Sequence, residues 1–221
     1  MDDPSDYLEP TESVQSDQPK IRELSAELCR QAVNEHERAR RLFEYVRDEI
    51  KYDVYSPFHL PEHYRASAIL KRGKGYCVQK AVLLAALARA AGIPARLIFA
   101  DLVNHRAPDS MKRLMDTDLF TYHCYDELYL GGKWVKMVPA FDRFLCEEQG
   151  YPLVEFDGHN DALFAPVDAK GRKFMEYVAN HGAYADVPMQ PMLAAWERVY
   201  GKERVALWKK VFENQNSKTK R

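Results

Sequence analysis

The chain has 221 residues, 46% of them hydrophobic and 29% charged, which is enough apolar content to bury one good core. Its 32 Lys and Arg balance 33 Asp and Glu, and the resulting net charge of -1 argues against nucleic acid as the main partner. No run approaches the ~18 apolar residues of a membrane span, so no membrane partner is expected.

The amino-terminal Met1-Asp2-Asp3-Pro4-Ser5-Asp6 is acidic and lacks the apolar core of a signal peptide. Cys29, Cys77, Cys124 and Cys146 are widely spaced and contain no Cys-x-x-Cys pair. They read as free thiols in a reducing compartment, so the chain is expected to be cytoplasmic. The seven histidines have no zinc-site spacing, and neither a metal nor another cofactor is expected.

Residues 1–19, with three prolines and many Ser, Asp and Glu, read as an extended lead-in to a single domain at 20–213. Ile21, Leu24, Leu28 and Ala32 predict a helix from Ile21 to about Asn34. Ala39, Leu42, Phe43, Val46 and Ile50 predict a second from about Glu35 to Lys51. The opposite face of the second, with Arg38, Arg41, Glu44, Arg47 and Asp48, reads as solvated. Tyr52 to Pro57 break that helix, and Ala66 to Lys71 read as a short helical turn.

Then comes the stretch that organises the chain. Gly73 and Gly75 give a free loop, and Cys77 opens a long alanine-rich helix that stops at Gly92-Ile93-Pro94. A thiol there faces unsatisfied N–H groups and the positive end of the helix dipole, which favours the thiolate, the reactive form. The alternative is a small buried residue at the head of a core helix, because free cysteine is often buried.

Ala95 to Val103 read as a strand. Asn104 to Phe120 read as a surface excursion with a short helix near Met111 to Asp116. Tyr122 to Leu130 and Lys133 to Val138 flank Gly131-Gly132 as a hairpin. Its register places Glu127 opposite Lys136 and Tyr129 opposite Trp134; continued further, it sets His123 opposite Ala140. A strand histidine is commonly a core or surface residue, yet a Cys–His pair assembled by folding is how a thiol is activated. Beyond Asp142 the sequence is loop-rich. Helices are expected from Lys173 to Asn180, with His181 at its carboxyl end, and through Leu193, Trp196, Val199 and Tyr200 with a possible continuation to Val211. Asn214 to Arg221 read as an unfolded tail.

Gly75-Tyr76-Cys77 with its helix, Ala91-Gly92-Ile93-Pro94-Ala95-Arg96, His123 through Tyr129, and Trp134-Val135 together resemble the transglutaminase-like superfamily. The similarity covers roughly residues 38–142 and leaves 143–213 as a carboxyl-terminal extension without a motif. It implies an α+β, papain-like fold in which the cysteine helix packs on an antiparallel sheet that carries the histidine. It also implies thiol acyl-transfer chemistry on a peptide, protein or small amide substrate.

Within that resemblance Cys77 is the nucleophile and His123 the proton relay. The family's acid falls on Val138, which cannot orient an imidazole. The hairpin register makes Asp142 a diagonal neighbour of His123 at roughly 7–8 Å, so Asp142 is the expected replacement, or else an ordinary turn residue. The Cys77 N–H, with Tyr52 or Tyr55, could hold the oxyanion. Hydrolysis is favoured over cross-linking, since no Asp-x-Asp-x-Asp-Gly calcium loop is present. An amine-accepting acyltransferase and a non-catalytic binding module are the alternatives.

Overall fold

In the computed structural model, residues 3–218 are described, with side chains through residue 210. One helix sits at the centre. Helix α4 (Cys77–Ala90) is buried from Val78 to Arg89. It packs on strands β3 (Ala95–Asn104) and β4 (Leu119–Leu130) on one side and on helices α1 (Pro19–Cys29), α2 (Glu35–Glu49) and α3 (Ala66–Arg72) on the other. Apolar residues cover all of its faces, the pattern of a helix enclosed by protein.

The four-stranded sheet is antiparallel throughout, in the order β5-β4-β3-β6, with β5 at Lys133–Met137 and β6 at Met175–Tyr184. A separate parallel pair, β1 (Lys51–Tyr52) and β2 (Lys74–Gly75), ties the end of α2 to the loop before Cys77. This is the α+β arrangement expected from the sequence.

The β4–β5 ladder has the predicted register, with Glu127 opposite Lys136 and Tyr129 opposite Trp134. The predicted charge pairing differs. Glu127 binds Arg96 of β3 at 2.6 Å, and that guanidinium lies 4.1 Å from the Trp134 ring centre. The stronger, planar partner stands on the other neighbouring strand.

Several expectations are corrected. The segment read as a helix from Lys173 to Asn180 is edge strand β6, paired with β3, and His181 belongs to that strand. Tyr177 and Val178 are good strand formers, and pairing along β3 outweighs the weak helical spacing. Arg47, read as solvated, is buried; it donates to Val154 O at 2.8 Å and pairs with Asp48 and Glu155. Within the segment read as an extended lead-in, Tyr7 and Val14 are buried, and Tyr7 meets Trp134 edge-on at 5.4 Å.

Beyond the hairpin, Arg143–Gln149 form helix α6, absent from the sequence reading. Helices α5 (Asp109–Met115) and α7 (Met189–Tyr200) match the predicted ones closely. Gly201 separates α7 from α8, which runs from Lys202 to Lys218 through the start of the expected tail; residues 219–221 lie outside the described residues. Among the described residues no helix is long and apolar enough to cross a membrane.

Candidate active site

Two short devices set the head of α4. Gly73, at φ +66°, ends α3 in the left-handed region that glycine tolerates without cost. At Gly75 a Cβ would stand 2.9 Å from Gln79 Cβ, so glycine leaves room for the Gln79 side chain. Gln79 then donates to Pro57 O at 2.7 Å and His63 O at 3.1 Å, and its Oε1 accepts the Tyr76 N–H at 3.4 Å. Lys80, fully buried, donates to the carbonyls of Arg47 and Ile50 and so locks α4 to the end of α2. Burial lowers its ammonium to about 7.

Cys77 is the first residue of α4 and is half-buried. Backbone N–H groups of Cys124, Val78 and Cys77 favour its thiolate, as the helix-terminus argument anticipates. Burial is the larger effect and pushes the thiol up to about 11. The resting Cys77 side chain is therefore a neutral thiol.

His123 lies on β4 opposite Ala100 of β3 and is 5% exposed. Burial lowers its imidazole to about 3, so it too is neutral. Its Nε2 is buried without a hydrogen-bond partner, and the ring packs near Phe164 (5.7 Å) and Tyr177 (6.0 Å). Cys77 and His123 line the same cleft, of about 330 Å³.

Directly before His123 the strand is irregular. Pairing shifts between Ala100 and Leu102, so Thr121 and Tyr122 together oppose Asp101, a β-bulge. Tyr122 takes φ +55°, rare for an aromatic residue. The Asp101 carboxylate holds the bulge, accepting the Thr121 hydroxyl at 2.7 Å, the Tyr122 N–H at 3.1 Å and His181 Nε2 at 2.6 Å. The His181 ring stacks on Tyr122 at 4.3 Å. Helix α7 clamps the same residues from outside: Tyr200 OH accepts the Thr121 N–H at 2.8 Å, and Trp196 Nε1 donates to Thr121 O at 3.0 Å.

The expected acid does a different job. Asp142 Oδ1 accepts the Leu145 N–H at 2.9 Å as the N-cap of α6, and Oδ2 accepts the Tyr52 N–H at 2.8 Å. No hydrogen bond links it to His123. The register that made them diagonal neighbours ends early. The ladder stops at Met137 opposite Asp126, and the Val138 N–H turns to Ala162 O at 3.0 Å. Pro139 has no N–H with which to resume pairing.

Both oxyanion candidates line the cleft. Tyr52 packs edge-on against Phe141 at 4.8 Å, and burial raises its phenol well above the usual range, which keeps it a neutral donor. Tyr55 is 58% exposed. The sequence reading did not connect Asp101, His181, Trp196 and Tyr200 with this site. The first two meet only through the β3–β6 pairing, and the last two read as an ordinary helical core stripe.

The transglutaminase-like superfamily model matches residues 22–139, more than half of the chain. A candidate cysteine protease from Cytophaga hutchinsonii has a similar fold at 20% identity and a TM-score of 0.50, over 83% of this chain and 55% of that one. The periplasmic domain of TgpA from Pseudomonas aeruginosa matches at 20% identity and a TM-score of 0.45, over 62% of this chain and 48% of that one. The chain thus spans about half the length of these solved structures. No curated protein matches it. With the family model running from α1 through the cysteine helix and the hairpin to Pro139, the chain belongs to the transglutaminase-like superfamily.

Proposed function

We propose that the chain is a thiol hydrolase that cleaves acyl bonds, amide or peptide, with Cys77 as nucleophile and His123 as general base. The observation that carries this reading is the shared cleft, into which the head of the buried helix and the bulged strand bring Cys77 and His123. With both groups neutral at rest, the proton leaves the thiol as the sulfur attacks the carbonyl, rather than beforehand. The tetrahedral oxyanion takes hydrogen bonds from the Cys77 N–H and the Tyr52 hydroxyl. His123 then returns the proton to the leaving amine, and water releases the acyl group from sulfur. Asp142 acts at one remove, by fixing the backbone of Tyr52. Water as acceptor, rather than an amine, is the simpler reading.

A second reading, a binding module without turnover, is favoured by the absence of a hydrogen bond between Cys77 and His123 and by the unpartnered Nε2. Intact-mass spectrometry after mixing with p-nitrophenyl esters separates the two. The hydrolase is acylated on Cys77 and turns over, and His123→Ala slows acylation at least 100-fold. A binding module shows no turnover, and its slow labelling is unchanged by His123→Ala.

A further inference from the structure

The cleft beside Cys77 carries chemical information of its own. None of its described lining side chains is charged at neutral pH, since Cys77 and His123 are both neutral. Its walls come from four directions: Phe58 from the loop after β1, Leu114 and Met115 from α5, Trp196 from α7 and Trp208 from α8.

Much of the polar equipment on those walls is already engaged within the protein. Tyr76 OH bonds Tyr64 OH at 2.5 Å, and Ser56 Oγ donates to Asp53 Oδ2 at 3.2 Å. Tyr200 OH and Trp196 Nε1 are occupied by Thr121. A carboxylate or ammonium entering this space would lose its hydration and find no counter-charge among these residues. An alkyl or aryl group would gain from burial.

We propose that the cleft is the acyl subsite, and that the group attached to the carbonyl attacked by Cys77 is an uncharged alkyl or aryl chain. The claim deepens the hydrolase reading and rests on it for the word acyl. The acyl side is assigned because the group bonded to sulfur in the intermediate is the one held next to Cys77. Cleft volume fits a medium chain, since pockets for small ligands begin at about 300 Å³.

Binding and turnover test this separately. In Cys77→Ala protein, the fluorescence of Trp196 and Trp208 reports binding of N-methyl octanamide, N-methyl acetamide and N-methyl succinamate. Saturable binding of the octanamide is expected, at least 30-fold tighter than either other amide. Leu114→Asp should weaken it at least tenfold, and Leu114→Gln provides a milder change should the first fail to fold. In the unmodified protein, kcat/KM for p-nitrophenyl esters should climb from acetyl to octanoyl by up to about fourfold per methylene.

Octanamide binding without turnover of any ester would remove the hydrolase reading and leave the apolar site standing. Turnover with a flat chain-length series, or succinamate bound as well as octanamide, would overturn the subsite while sparing the hydrolase. Absence of octanamide binding overturns it as well.

Discussion

His123 Nε2 is buried without a hydrogen-bond partner, and its ring centre lies 6.0 Å away, at 59°, from that of Tyr177, whose buried hydroxyl faces the backbone N–H of Phe164. Buried polar atoms are almost always satisfied, so an orphaned ring nitrogen is costly. The position where the family's acid would stand holds Val138, 1% exposed, and nothing polar replaces it at Nε2. Tyr177→Phe removes the acceptor beside the Phe164 N–H and keeps the ring. It should lower stability by about 1 kcal/mol in urea unfolding. A gain of similar size would mean that the hydroxyl is buried without a partner.

Cys77 should not behave as a low-pKa thiol. Because burial raises it to about 11, its iodoacetamide alkylation should increase nearly tenfold per pH unit from pH 6 to 9.5, without a plateau. Peptide mapping by mass spectrometry follows the rate at each cysteine. A rate independent of pH above 6 would instead reveal a thiolate–imidazolium pair.

The two roles of Asp142 predict different mutant behaviour. As a cap and as the acceptor for Tyr52, it should be replaced by Ala at a cost of about 2 kcal/mol and by Asn at well under half of that. Asp142→Asn should leave the Cys77 alkylation rate within twofold. A tenfold fall with unchanged thermal stability would restore an orienting role toward His123.

Acid should weaken the fold well before most carboxylates titrate. His63 Nδ1 accepts the Leu60 N–H, and burial lowers its ring to about 4, while burial lowers His123 to about 3. Both folded values lie below the unfolded value of 6.5. As pH falls below 6.5 the unfolded chain therefore takes up protons that the folded chain refuses, and stability is lost. The slope is up to about 1.4 kcal/mol per pH unit for each ring. Urea midpoints between pH 6.5 and 4.8 should fall less steeply in His63→Gln and in His123→Gln. Equal slopes in all three proteins would show that neither ring stays neutral.

The parts of the chain read correctly from sequence were those whose signal is local. Cys77 at a helix start, Gly92 at its end and the Gly131-Gly132 turn each announce themselves within a few residues. What failed depended on partners far along the chain. Strand β6 is held by β3, some 80 residues earlier, and Asp142 was placed by extending a ladder past the proline that ends it. Lys80, inside the core, is satisfied by backbone carbonyls that no pattern of side chains reveals, and Arg47 by Val154 O with the carboxylates of Asp48 and the distant Glu155. Cys77 shows the same limit in electrostatics. The helix terminus is visible in the sequence, whereas the stronger effect of surrounding protein is not.

The bulge at Thr121-Tyr122 bears on how this chain tolerates change in length. With two residues facing one, alternation along β4 is out of phase across it, and Phe120 and His123, an odd number of positions apart, both reach the cleft. Deleting one of the two bulge residues would let β4 pair regularly with β3 and would relieve the positive φ of Tyr122. It would also break the phase relation that lets both Phe120 and His123 reach the cleft. Along this strand, a one-residue shortening that makes a more regular ladder gives up the bonds that Asp101, Tyr200 and Trp196 make to the bulge and the arrangement that brings both side chains to the cleft.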